Sequence, residues 1–282
     1  MKQICNLNPN KACGPDNLSP RILKLLADDL SPTLTFLFQQ SYDSGRLPDY
    51  WSKALITPVY KKGGKQDPKN YRPISLTCIC CKIMEHIVLT HVYKHLSTNN
   101  ILWKHKRSFR SRLSCETQLV SAIHEWASIL NIKGQADVIQ LDFSKAFDKV
   151  SHSKLLHKLS YYGIQGQTLL GIKGFLCNHS QIVSVNGVNS TPCKVTSGVP
   201  QGSVLGPTLF LMYINDIVGD IKSNIRLFAD DTIMYRQLVS PADHLILQQD
   251  LDRLTSWACL WQMEFNVKKC YHISLTNRPW NM

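Results

Sequence analysis

The chain has 282 residues, 44% of them hydrophobic and 18% charged, and a net charge of +12. That composition excludes a disordered chain, and the length suits one large domain or two modest ones, each with a real core. No apolar run reaches the ~18 residues that span a bilayer, and Met1 to Lys11 lacks the apolar centre of a secretory signal. The expectation is a soluble, intracellular protein of the nucleus or cytoplasm, without a membrane and without an obligate protein partner.

In chain order, Asp28 to Tyr42 carries Leu30, Leu34, Leu37 and Phe38 at helical spacing, with Gly45 just past its end. Ala54 to Tyr60 reads as a short strand broken by Pro58 and followed by a Lys/Gly turn. Pro73 to Leu96 reads as mostly helical, and Cys115 to Leu130 as an amphipathic helix. Val138 to Asp142 is an apolar strand ending in a carboxylate. Two helices follow, Ser151 to Tyr162, opened by a Ser cap, and Gln167 to Cys177. Gln181 to Asn186 alternates as a strand, Asn186-Gly187 signals a hairpin, and Pro192 to Thr196 is the returning strand. Thr208 to Ile217 is an apolar helix. Ile225 to Ala229 and Thr232 to Arg236 form a second hairpin around Asp230-Asp231. A helix over Pro241 to Trp261 and a strand over Cys270 to Leu275 complete the reading. This order predicts an α+β fold with helices packed on one face of a sheet.

The charge is concentrated. Between Arg46 and Arg112 there are fourteen Lys and Arg against three Asp and Glu, so about a quarter of the chain holds +11 of the +12. A scattered excess would be a solvated surface, whereas this concentration points to a polyanion, since phosphate neutralisation dominates such binding. It comprises Lys61, Lys62, Lys65, Lys69 and Arg72, then the run Lys104 to Arg112, which also fits a nuclear localisation patch. Of the ten cysteines only Cys78, Cys80 and Cys81 cluster, and no second pair stands at zinc-finger spacing, so they read as small apolar residues at a helix start.

Two carboxylate positions end or join otherwise apolar strands, Asp142 and Asp230-Asp231. An Asp-Asp at a hairpin tip is ordinarily a solvated turn. Side by side, however, two like charges repel, and Asp142 on the same sheet edge would make a cluster that needs cations. Two Mg²⁺ ions about 3.5–4 Å apart would neutralise it and clamp both oxygens of a phosphoryl transfer. A calcium loop is the competing metal reading, but the ligands are far apart in sequence.

The motifs around these residues extend over nearly the whole chain. Leu141-Asp-Phe-Ser-Lys-Ala-Phe-Asp148 resembles motif A of reverse transcriptases, Ser197-Gly-Val-Pro-Gln-Gly-Ser-Val-Leu-Gly-Pro207 their motif B, and Phe228-Ala-Asp-Asp231 their motif C. Asn70-Tyr-Arg-Pro-Ile-Ser-Leu76 is similar to the fingers motif of the non-LTR branch, Asn17-Leu-Ser-Pro-Arg-Ile22 to the segment before it, and Phe265-Asn-Val-Lys-Lys-Cys270 to motif D. The set resembles non-LTR retrotransposon enzymes of the jockey and chicken-repeat type.

The resemblance implies a polymerase right hand reduced to a fingers region (residues 1–130, with an N-terminal extension) and a palm (131–282, motifs A to D). The palm sheet would have three or four antiparallel strands, and the thumb and endonuclease would be missing. It implies that Asp142, Asp230 and Asp231 hold two Mg²⁺ ions, which Mn²⁺ can replace, with the Phe143 carbonyl as a further ligand. Phe147 would be the steric gate against a ribose 2′-hydroxyl. Arg72, with Lys61 or Lys62 nearby, would contact the triphosphate. Gly198, Pro200, Gln201 and Gly202 would let backbone approach template and nucleotide, and Lys269 would protonate the pyrophosphate leaving group. RNA template, DNA primer and deoxynucleoside triphosphates are the implied partners. The sequence departs from the family pattern at Ser108, Gln165, Gly171 to Phe175 and Asn178 to Gln181, none of which is a carboxylate. The alternative reading is a catalytically inactive, basic nucleic-acid-binding remnant of a degenerate element.

Overall fold

A computed structural model describes residues 1–103 and 115–277. The basic run Lys104 to Arg112 and the departure at Ser108 therefore lie outside the described residues. The chain begins with α1 (Lys2–Cys5) and α2 (Pro20–Leu25), whose cap Ser19 accepts the Arg21 amide through Oγ at 3.2 Å. α3 (Ala27–Ser44) ends where Gly45 turns left-handed at φ 63°. β1 (Lys53–Tyr60) and β2 (Tyr71–Thr77) form an antiparallel hairpin that leads into α4 (Ile79–Thr98). After α5 (Cys115–Asn131) come β3 (Gln135–Asp142), α6 (His152–Tyr161) and α7 (Gly166–Cys177). Three strands follow, β4 (Ser180–Val185), β5 (Val188–Asn189) and β6 (Cys193–Lys194), then the apolar α8 (Gly206–Tyr213). β7 (Asn224–Phe228), β8 (Asp231–Leu238), α9 (Pro241–Leu260) and β9 (Tyr271–Thr276) complete the described chain.

Several expectations change. Pro58 does not break its strand. It sits opposite Pro73, so the pair is one whose amides point out of the β1–β2 ladder, and it lies beyond Ile56, where pairing with β4 stops. The helix expected from Pro73 starts only at Ile79, because Tyr71 to Thr77 is spent on pairing with β1. Ser151 occupies the cap position of α6, but its hydroxyl meets Ser153 Oγ at 3.2 Å and makes no cap bond. α8 is shorter than expected, since beyond Tyr213 the Ile217 amide reaches back only three residues, to Ile214.

The strands form two sheets. One has the order β2-β1-β4-β5 with β6 also on β4, and the other, β7-β8-β3-β9, is antiparallel throughout. Packing groups the chain into two compact units, Met1–Ile101 with Val150–Met212, and Leu102–Lys149 with Tyr213–Met282.

In the first unit Ile4, Leu23, Leu34, Trp51, Ile79 and Ile83 bury together with Cys78, Cys80 and Cys81, so those cysteines act as core side chains at the start of α4. In the second unit the sheet is covered on both faces, not one. Tyr235 meets α5 through Glu125 and the Trp126 ring at 5.7 Å, while its neighbour Arg236 meets Asp243 of α9 at 2.8 Å. Strand alternation makes those opposite faces. Among the described residues no helix is long and apolar enough to cross a membrane.

Candidate active site

In the second unit, β7 and β8 are joined by a two-residue turn. Phe228 pairs with Asp231, leaving Ala229 and Asp230 at the tip, with Ala229 in the left-handed region at φ 53°. For a residue with a Cβ that conformation costs about 1–2 kcal/mol, so the surrounding strands impose it. β8 also pairs with β3, and the last register pair is Asp142 with Asp231. Asp142, Asp230 and Asp231 thus meet at one edge of the sheet. Burial first, then the charges of Asp230 and Asp142, push the Asp231 carboxyl up, while Lys269 pulls it back.

Beyond Asp142 the chain keeps pairing, now with the segment before β9. Phe143 faces Phe265 with the rings stacked at 4.6 Å and 15°. The flanking bonds run from the Asn266 amide to the Asp142 carbonyl at 2.8 Å and from the Ser144 amide to the Glu264 carbonyl at 2.7 Å. This pattern leaves the Phe143 carbonyl out of the bridge. A 3₁₀ turn, Val267–Lys269, then brings Lys269 back, and its ammonium donates to both Asp142 oxygens at 2.8 Å. Lys268 is exposed, so of the two neighbouring lysines only Lys269 is aimed at the carboxylates. Phe147 lies half-buried in the turn after β3.

The remaining site candidates belong to the first unit. Arg72 is exposed on β2, opposite Val59, while Lys61 and Lys62 are exposed just past the end of β1, at the same end of the hairpin. The loop from Gly198 to Gly202 is docked on β2. Ser75 donates its amide to the Gln201 carbonyl at 2.7 Å, and Gly202, at φ 112°, lies so close that a Cβ would come 2.7 Å from the Ser75 carbonyl oxygen. Gly202 therefore serves first to let two stretches of backbone touch. Gly198, also left-handed, donates to the Val150 carbonyl at 2.7 Å, and its own carbonyl accepts from His152 Nε2 at 2.8 Å.

Residues 59–280 match the family described as reverse transcriptase (RNA-dependent DNA polymerase). The chain belongs to the reverse transcriptase family. It is 32% identical over 98% of its length to the RNA-directed DNA polymerase from mobile element jockey of Drosophila melanogaster. It is also 29% identical, over 97%, to the probable RNA-directed DNA polymerase from transposon X-element of the same fly. A third relative, 25% identical over 82% of the chain, is the Pol polyprotein from the type-1 retrotransposable element R2 of Popillia japonica. The chain spans about a third of the length of these relatives, 31% of the jockey protein.

In this member of the family the donor chemistry suits a hard divalent cation, because carboxylate and carbonyl oxygens are its preferred ligands and the like charges around Asp231 call for one. An ammonium, that of Lys269, already lies on Asp142. As they stand, no three His, Cys, Asp or Glu side chains among the described residues converge on a single metal position.

Two further residues of this chain were not legible in its sequence. Glu85 on α4 is buried and accepts the amides of Val204 and Leu205 at 2.7 and 2.9 Å. Burial pushes its carboxyl up to about 7, against the pull of those two amides. The other is His152, which holds Gly198. The signal for Glu85 was a carboxylate four residues past Cys81, on the stripe that buries Cys81 and Met84. His152 carried no such signal.

Proposed function

We propose that the chain is the polymerase portion of a non-LTR retrotransposon protein, adding deoxynucleotides to a primer 3′-hydroxyl with RNA as template. The observation that carries this reading is the meeting of Asp142, Asp230 and Asp231 at one sheet edge, with a cation on Asp142. In the reaction the primer oxygen bonds to the α-phosphorus, the bond from that phosphorus to the bridging oxygen of the β-phosphate breaks, and pyrophosphate leaves. Two divalent ions, Mg²⁺ with Mn²⁺ able to substitute, supply neutralisation of the phosphate oxygens when bound. Asp142, Asp230, Asp231 and the Phe143 carbonyl would hold them.

The chain's own groups divide the remaining work. Lys269 gives a proton to the departing pyrophosphate. Phe147 closes the space a 2′-hydroxyl would need. Arg72 binds triphosphate oxygens with Lys61 and Lys62, in a fork geometry that suits phosphate. Gly198, Pro200, Gln201 and Gly202 present backbone to template and nucleotide. The four-stranded sheet then corresponds to the palm within residues 131–282, and residues 1–130 to the fingers and their N-terminal extension. The basic surplus between Arg46 and Arg112 supports nucleic-acid binding.

Primer extension on a poly(A) template with Mg²⁺ tests the proposal. Asp230→Asn with Asp231→Asn should abolish extension while leaving salt-dependent binding in place. Extension that survives the double change refutes the carboxylate assignment. Binding without extension in the unaltered chain identifies a remnant.

A further inference from the structure

We propose that Glu85 is a positioning residue for the glycine loop, fixing from α4 the backbone that the polymerase reading above assigns to template and nucleotide. The inference rests on that reading and on seven hydrogen bonds within one unit. The first amides of a helix find no acceptor within the helix itself. Just before α8 the acceptor is a single oxygen, Glu85 Oε2, which takes the amides of Val204 and Leu205, the two residues that lead into Gly206, at 2.7 and 2.9 Å. Ser203 closes the same turn, donating Oγ to the Pro200 carbonyl at 2.9 Å and accepting the Gly206 amide at 3.0 Å. The middle of the loop lies on β2 through Ser75, and its beginning is held at Gly198 between Val150 and His152. Pro200 and Gln201 are thus held through their carbonyls, by Ser203 and Ser75, between the contacts that α6 and α4 make with the loop's two ends.

Among these contacts Glu85 is the one whose chemistry exceeds what packing requires. A neutral acceptor would satisfy two amides with less desolvation, whereas a side chain only 3% exposed makes a carboxylate expensive there. What a carboxylate adds is strength, since bonds to a charged acceptor are roughly twice as strong as neutral ones. The helix dipole adds to this at the same end. The carboxylate's other oxygen faces the Cys81 thiol at 3.8 Å, and Lys82 is the charge nearest it on α4. This arrangement exchanges global stability for a fixed start of α8, which is the direction expected of an element that must present backbone at a constant distance.

The test compares the full chain with Glu85→Ala and Glu85→Gln, by steady-state extension and by amide hydrogen exchange. Glu85→Ala should raise KM for the deoxynucleotide about tenfold, the scale of losing one or two such bonds, with kcat within about threefold. Exchange at Val204 and Leu205 should rise about tenfold or more while α3 and α7 stay protected. Glu85→Gln, which keeps shape and an acceptor, should restore most of both. An unchanged KM, or an exchange increase spread evenly over α3, α4 and α7, overturns the proposal. If Glu85→Ala does not fold, Glu85→Gln decides: a smaller, local increase at Val204 and Leu205 supports the clasp and none refutes it. A wild-type chain without primer extension refutes the polymerase reading alone, and the exchange measurement still decides whether Glu85 holds the loop.

Discussion

Replacing Lys269 with Met should tighten divalent-metal binding while lowering turnover. The ammonium donates to both Asp142 oxygens at 2.8 Å, and the two side chains are 40% and 20% exposed. A fully exposed pair contributes at most about 1 kcal/mol. This one is bidentate and half-shielded, so about 1–2 kcal/mol is the appropriate scale after screening. A cation arriving at Asp142 must displace that ammonium, so Lys269→Met, which keeps the length and removes the charge, should bind it about 5–30-fold more tightly. Repulsion between the ammonium and an incoming ion acts in the same direction. Titration with Mn²⁺, followed by the loss of its free electron-spin resonance signal, reads binding without nucleic acid or turnover. Lys268→Met is the control, since that side chain is exposed, and it should stay within about twofold. Extension should fall by about 10²-fold or more in Lys269→Met alone. Tighter metal with slower chemistry cannot come from poor folding, which would lower both. If Lys269→Met binds Mn²⁺ no better than wild type, the ammonium is not a competitor and the reasoning fails.

The buried Glu85 carboxyl, at about 7 rather than the ordinary 4.5, favours the proton in the folded state. Its contribution is therefore complete below about pH 4.5 and is lost as pH rises to 7, a change of about 3 kcal/mol. Urea unfolding of wild type against Glu85→Gln should show that difference opening between pH 4.5 and 7.5, whereas parallel profiles would dismiss it. Gly202→Ala should destabilise by about 2–4 kcal/mol, combining strain at φ 112° with loss of the Ser75 contact, and the Ser75 amide should exchange faster. Ala229→Gly should keep or slightly raise the melting temperature, because the turn already holds a left-handed conformation that glycine adopts without strain. A drop of several degrees would mean that the Ala229 methyl packs against something essential.

Much of the candidate site was legible because its signals are local. Val138 to Asp142 is a short apolar run, and Phe-Ala-Asp-Asp-Thr carries a turn between two strand patterns, so a sheet edge bearing carboxylates follows from adjacent residues. The β2 error has an equally local cause. Ile74 and Leu76 form an apolar run too short to separate strand from helix, and the apolar stretch after Cys78 runs on as α4. Two sheets instead of one, with helices on both faces, required knowing which strands pair across long separations. No spacing rule reports that β1 takes β4 as a parallel neighbour.

The two contacts that sequence could not show both join a charged side chain to a distant partner, and their burial separates their roles. Lys269 reaches Asp142 from 127 residues away, and Glu85 reaches Leu205 from 120. Neither partner is encoded by a spacing rule, although Glu85 itself lies on the buried stripe of α4. Their surroundings differ, however. The Lys269 ammonium is 40% exposed, so water can replace Asp142 as its partner at little cost, and a metal ion can take its place. Glu85 has no such exchange available, because without its amides a buried carboxyl is left unpartnered, at about 1–3 kcal/mol. The first contact is therefore the easier of the two to break, and the second is the more persistent. Opposite outcomes follow from deleting the two charges, a gain in metal affinity at Lys269 and a loosened loop at Glu85.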